Sequence, residues 1–269
     1  MPARACDAHC HIFGPASRFS MVENRPYEPA DLPLERYRAM ADRLGLDRAV
    51  FVQPVVYGID HSAIFDALDR EPGRYGGVAL VNDGIDDVML ERMHSVGFRA
   101  ARFNFVGRLG AFPTRDAIKR VYDRVKRFGW HLIFHVDAAS LIAQADLLAD
   151  LPCAYIIDHM ARPDAAQGSD QPAFIRLLAL AATPNCYVKI SAADRVVNAT
   201  TIANGVPFMR LLAETAPERT LWGTDWPHPN TQIMPDDGDL IDLLAEAVPD
   251  EGARNAILVD NPARLYAFH

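Results

Sequence analysis

The chain has 269 residues, half of them hydrophobic and 23% charged, with a net charge of −8 at pH 7. That composition predicts a soluble globular protein with a sizeable core, gives no footing to a nucleic-acid or membrane-surface role, and contains no run of roughly 18 apolar residues that would read as a membrane span. MPARACDAH lacks the apolar core of a signal peptide, and four scattered cysteines (Cys6, Cys10, Cys153, Cys186), three of them in apolar runs, read as reduced thiols in a cytoplasmic protein.

Eight short runs recur along the chain, β-branched or aromatic, each ending on a polar or ionisable residue. In order they are 5–11 (ACDAHCH), 48–54 (RAVFVQP), 75–81 (YGGVALV), 98–104 (FRAARFN), 130–136 (WHLIFHV), 153–159 (CAYIIDH), 186–192 (CYVKISA) and 220–226 (TLWGTDW). Helical patterns fill the intervals. The segment 33–45 sets Leu34, Tyr37, Met40, Ala41 and Leu44 on one stripe and stops at Gly45. The segment 114–129 opens on Thr114 as N-cap, closes on Gly129, and turns Ile118, Val121, Val125 and Phe128 inward. Further helices are predicted at 62–70, 86–96, 138–150, 171–182, 206–215 and 238–247, with a last packing helix in DNPARLYAF.

Strand–helix alternation repeated eight times predicts a single-domain (β/α)8 barrel, α/β in class, over residues 1–269. A doubly wound open sheet is the alternative, but it would usually show a glycine-rich phosphate turn after an early strand. Neither GxGxxG nor a Walker sequence is present.

The stretch CDAHCH (6–11) packs two histidines, two cysteines and an aspartate into one strand. Alternation would put Asp7, His9 and His11 on one face and Cys6 and Cys10 on the other, which argues against a Cys2His2 zinc knot. In a parallel barrel the C-terminal strand ends surround one mouth. Those ends collect His9, His11, Arg102, Asn104, His135, His159, Lys189, Ser191 and Asp225. Each alone has a bland reading, a core histidine or a turn aspartate. Together they would be costly to bury without a purpose.

At this point the chain resembles the amidohydrolase superfamily: His-x-His ends strand one, His ends strands five and six, and Asp ends strand eight. More narrowly it resembles the 2-pyrone-4,6-dicarboxylate lactonases, through NRPYEPAD, ARFNFVGRL, DHMARPD, WGTDWPHPN, MPDDG and LVDNPARLY. The resemblance implies a distorted barrel of amidohydrolase type and a hydrolase that opens a carboxylated lactone in aromatic-compound catabolism. The lactone could be 2-pyrone-4,6-dicarboxylate, a muconolactone-like acid or a sugar acid lactone. Asp225 would be the general base on a water, with Trp222 and Trp226 beside it raising its pKa. His9, His11 and His159 would stabilise the oxyanion. Arg102, Arg108, Arg162 and Arg195 match carboxylate-binding arginines, and Tyr27 a substrate-contacting tyrosine.

Binuclear members bridge two metals with a Lys or Glu at the end of strand four, where this chain reads ARFN, so at most one metal is expected. One divalent cation, zinc or manganese, would be held by His9, His11 and Asp225 with help from His135 or His159. Members that hydrolyse the pyrone dicarboxylate work without metal and have Tyr in place of His135, so a metal-free enzyme in which His135 contacts substrate stays open. So does a metal-dependent aromatic-acid decarboxylase on the same scaffold, and a non-catalytic acid-binding barrel. VQPVVYG after strand two makes one wall more apolar than in the dicarboxylate lactonases. The expected partner is a small anionic lactone, with monomer and homo-oligomer both open.

Overall fold

The computed structural model describes residues 1–268; the side chain of Arg108 lies outside the described residues. Eight parallel strands run in sequence order around one sheet: β1 (Cys6–Cys10), β2 (Arg48–Val52), β3 (Tyr75–Ala79), β4 (Phe98–Asn104), β5 (His131–His135), β6 (Tyr155–Ile157), β7 (Cys186–Lys189) and β8 (Thr220–Leu221). The ring closes through backbone bonds between β1 and the segment after β8: Ala8 N–H to the Trp222 carbonyl at 2.9 Å and Asp225 N–H to the His9 carbonyl at 2.8 Å. This is a (β/α)8 barrel.

Helices follow the strands: α1 (Leu34–Leu44), α2 (Ser62–Arg70), α3 (Asp87–Val96), α4 (Arg115–Val125), α5 (Ala138–Ala149), α6 (Pro172–Ala181), α7 (Val206–Thr215) and α8 (Asp237–Ala247). Two short helices close the chain, α9 (Glu251–Asn255) and α10 (Asn261–Tyr266). The local signals act as read. The Thr114 hydroxyl accepts from Ala117 N–H at 3.2 Å, and Gly45 and Gly129 take the left-handed conformation that ends a helix. In α1, Leu34, Tyr37 and Ala41 are buried, while Met40 and Leu44 pack at the margin of the core.

The core has two shells. Inside the barrel, Cys6, Ala8, Val50, Val52, Val78, Ala100, Ile133, Ile156 and Leu221 form a small-residue plug, closed by Tyr266 of α10. Outside it, aromatic and aliphatic side chains fill the layer between sheet and helices. All four cysteines are free, three of them buried. Among the described residues no helix is long and apolar enough to cross a membrane.

The face assignment in the first strand is corrected. Cys6 and Ala8 point into the barrel, whereas Asp7 and Cys10 point outward: Asp7 accepts from Tyr37 of α1, and Cys10 lies in the outer shell. The pairing of β1 with β2 slips between Asp7 and Cys10. This bulge inserts a residue and breaks strict alternation, so His9 and His11 reach the mouth although Asp7 does not.

Candidate active site

The bulged end of β1 brings His9 and His11 over the barrel. Both face Asp225, which lies after β8 with φ +62°, a conformation that Asp tolerates better than most residues. Asp7 helps set this register. Its carboxylate accepts from Thr224 N–H (3.0 Å), the Thr224 hydroxyl (2.6 Å) and His9 N–H (3.1 Å), tying β1 to WGTDW. Gly223 permits the approach: a Cβ there would sit 2.5 Å from the His9 nitrogen.

Three imidazoles converge on one carboxylate oxygen. Asp225 Oδ1 is 3.2 Å from His11 Nε2, 3.6 Å from His9 Nε2 and 3.9 Å from His159 Nε2. Its other oxygen accepts from Arg195 Nε (3.1 Å) and Nη2 (2.9 Å). The expectation that Trp222 and Trp226 lift the Asp225 pKa is overturned. Burial does push it up, but the Arg195 guanidinium outweighs that and holds the carboxyl well below its usual range.

His159 is presented by an unusual turn. After β6, residues His159, Met160, Ala161 and Arg162 all have φ between +53° and +55°, four left-handed residues in succession. Such residues cost about 1–2 kcal/mol each, and this turn is buried in the core, with Met160 and Ala161 packed there. The turn sends both His159 and Arg162 into the mouth, where Arg162 Nη2 is 3.1 Å from His135 Nε2 and His159 Nδ1 is 3.0 Å from the Ser191 hydroxyl. Burial, and then the Arg102 and Arg162 charges, press the His135 pKa well below its normal value. Burial does the same to His159 against the pull of Asp225.

The cleft is lined by His11, Tyr27, Arg102, His135, His159, Arg162, Arg195 and Asp225, with Pro54, Val55 and Leu109 as an apolar wall and Pro229 and Asn230 at the rim. Of the residues singled out from the sequence, His9, Lys189 and Ser191 are buried and not part of that lining, Asn104 turns to the Val106 backbone, and the Arg108 side chain is outside the described residues. Two of the arginines carry ion pairs inside the site: Arg195 on Asp225, and Arg102, whose Nε donates to Asp158 at 2.8 Å.

Asp158 escaped the sequence reading. It is fully buried, 3.2 Å from Lys189 Nζ and 3.4 Å from His9 Nδ1. Its signal was present: two ionisable residues in a row, Asp158-His159, end a strand otherwise made of Tyr and Ile.

Of the expected metal ligands, His9, His159 and Asp225 form the compact group among the described residues, with donor atoms within 4.8 Å of one another, while His135 has Arg162 on its Nε2. That group fits a divalent cation poorly. A metal-bound imidazole donates its second N–H to an acceptor, yet His9 Nδ1 faces the Lys189 ammonium at 3.1 Å, and Asp225 Oδ2 is already held twice by Arg195.

Residues 6–268 match the family model described as Amidohydrolase. The chain is 39% identical to the 2-pyrone-4,6-dicarboxylate hydrolase of Comamonas testosteroni over 99% of its own length and 91% of that protein's. It is 39% identical, with the same coverage, to a 4-sulfomuconolactone hydrolase of Rhizobium radiobacter. A crystal structure of an Agrobacterium tumefaciens protein superposes with a TM-score of 0.88 at 25% identity, covering 100% of this chain and 97% of that one. With its eight-stranded barrel, its His-x-His on β1 and its Asp after β8, the chain belongs to the amidohydrolase family.

Proposed function

We propose that the protein is a lactonase: it hydrolyses a small carboxylated lactone of the pyrone-dicarboxylate or muconolactone kind, as the names of its relatives suggest. The observation that carries this reading is the single oxygen, Asp225 Oδ1, faced by three imidazole nitrogens within 3.9 Å at the base of an arginine-lined cleft. An anionic ring enters with a carboxylate toward Arg162, Arg102 and Arg195, and Tyr27 and His135 border it. Guanidinium forks suit carboxylates, and the site lies in a protein of net charge −8, so the cleft is a local exception to the surface field.

Asp225 Oδ1 takes a proton from water as the oxygen adds to the lactone carbonyl carbon. His11 donates from Nδ1 to the Val52 carbonyl at 2.7 Å, which fixes its ring with Nε2 3.2 Å from Asp225 Oδ1. The developing oxyanion lies against His9 and His159. The tetrahedral intermediate collapses by breaking the ring C–O bond, and the proton follows the departing oxygen. An enolate leaving group demands less electrophilic help than an amine would. Zinc or manganese would need His9 to turn a lone pair toward it, against Lys189, so no step here runs through a metal. Four free thiols agree with a cytoplasmic setting.

The test is a screen of unsaturated and sugar-derived lactone acids by ring-opening absorbance, with and without chelator, alongside elemental analysis. Ring opening that survives chelation supports the reading. Release of carbon dioxide from an aromatic acid, with no lactone turned over, replaces it with the decarboxylase.

A further inference from the structure

Lys189 ends β7, is fully buried beneath the cleft, and takes no part in the steps above. Its ammonium lies 3.1 Å from His9 Nδ1 and 3.2 Å from Asp158 Oδ1. Asp158 is held ionised: burial pushes its pKa up, but Lys189 and then Arg102 outweigh that and hold it well below the usual range. An ammonium beside that carboxylate has donors and no acceptor, so the His9 nitrogen facing it must accept. A neutral imidazole accepting at Nδ1 carries its proton on Nε2. The opposite tautomer would set an N–H against the ammonium at 3.1 Å. The competing contact, His9 Nδ1 to Asp158 Oδ1, is longer at 3.4 Å.

His9 Nε2 is buried with no hydrogen-bond partner among the described residues. A buried donor left unpaired is costly. It makes sense where a ligand completes the bond, and the ring faces Asp225 and, at 4.4 Å between centroids, His159. His11, two residues on, is wired in the opposite sense, donating from Nδ1 to a carbonyl.

We propose that Lys189 is a positioning residue that fixes His9 as the Nε2–H tautomer, so that His9 meets the lactone carbonyl oxygen as a hydrogen-bond donor and not a metal as a ligand. The two histidines of the His-x-His pair then have different duties: His9 donates to the substrate, and His11 stands by the base. This deepens the lactonase reading and rests on it for the identity of the oxygen that His9 meets.

The experiment is a long-range 1H–15N correlation spectrum of the 15N-labelled full-length protein, with His9 assigned by its loss in His9→Gln. The expected result is a protonated-nitrogen shift at Nε2 and a bare-nitrogen shift at Nδ1. A bare Nε2 in the wild-type protein overturns the proposal, and this arm needs no Lys189 variant to fold. In Lys189→Met the proton should move to Nδ1, toward Asp158. Zinc affinity, measured by equilibrium dialysis with the metal alone, should then rise on the order of tenfold, and kcat should fall with KM nearly unchanged. A Lys189→Met protein that folds and keeps the wild-type tautomer also overturns it. The spectrum and the lactone screen fail separately: an Nε2–H His9 in a protein that opens no lactone removes the lactonase reading alone, and a bare Nε2 in an active lactonase removes this one alone.

Discussion

Replacing Asp225 by Asn removes the base while disturbing little else, and the structure allows its size to be worked out. The backbone at 225 has φ +62°, which Asn adopts as readily as Asp, so the loop should keep its path. The amide oxygen can face Arg195, and the amide nitrogen can face the imidazoles. What is lost is charge. Arg195 loses its charge-assisted bonds at 2.9 and 3.1 Å, worth about 1.5–3 kcal/mol. Asp194, 3.6 Å from Arg195 Nε, still compensates the guanidinium, which favours the lower end of that range. At about 2–4 °C per kcal/mol for a chain of this size, the melting temperature should drop by roughly 3–8 °C, leaving a folded protein at 25 °C. Turnover should collapse by about 10²–10⁴-fold, or about 3–5 kcal/mol of transition-state stabilisation. The loss should fall on kcat, because an Arg195 less tightly held by residue 225 binds a substrate carboxylate at least as well. Circular dichroism, a thermal melt and ring-opening kinetics on the same preparation test this. A folded Asn variant turning over within about tenfold of wild type would remove Asp225 from the chemistry.

Three further outcomes follow from neighbouring contacts. Gly223→Ala should destabilise the protein by about 1–3 kcal/mol or more, since its methyl would meet the His9 backbone nitrogen at 2.5 Å and Asp7 Oδ1 at 2.9 Å; chemical denaturation with an unchanged midpoint would contradict the packing described. Arg162→Met should raise KM for an anionic lactone by roughly 10–100-fold with kcat largely retained, the loss of one charge-assisted contact; an unchanged KM would make the Arg162–His135 pair structural only. His228 Nε2 is 3.0 Å from Asp237 Oδ1, and despite burial that bond and the nearby carboxylates raise its pKa above the ordinary imidazole value. A raised folded-state value stabilises fully below the unfolded pKa of about 6.5 and is lost as pH rises through the folded one. The melting-temperature gap between wild type and Asp237→Asn should therefore be widest near pH 5.5–6 and narrow on the alkaline side, and a gap that widens upward would show the sign to be wrong.

The barrel was legible because its signals are local. Apolar runs with ionisable ends, helices capped by Thr114 or stopped by Gly45 and Gly129, and the beat between them each depend on a few neighbouring residues, and the elements formed in that order, although the runs 153–159 and 220–226 are strands only over Tyr155–Ile157 and Thr220–Leu221. The gathering of His9, His11, His135, His159 and Asp225 was legible for the same reason: a parallel barrel collects its strand ends whatever lies between them. Three features had no local signal. The bulge that separates Asp7 from His9 arises from pairing with β2 and from the grip of Asp7 on Thr224, 217 positions away. The left-handed run His159–Arg162 carries ordinary residues in a conformation their own propensities disfavour, so only the surrounding packing can hold it. Last, which nitrogen of His9 bears the proton is decided by Lys189, 180 residues downstream, and by an Asp158 that reads as one more polar strand end until β6 and β7 bring it beside them. Residue types and strand ends follow from the chain itself. Partners, protons and the sense of each hydrogen bond come from contacts that exist only after the barrel closes.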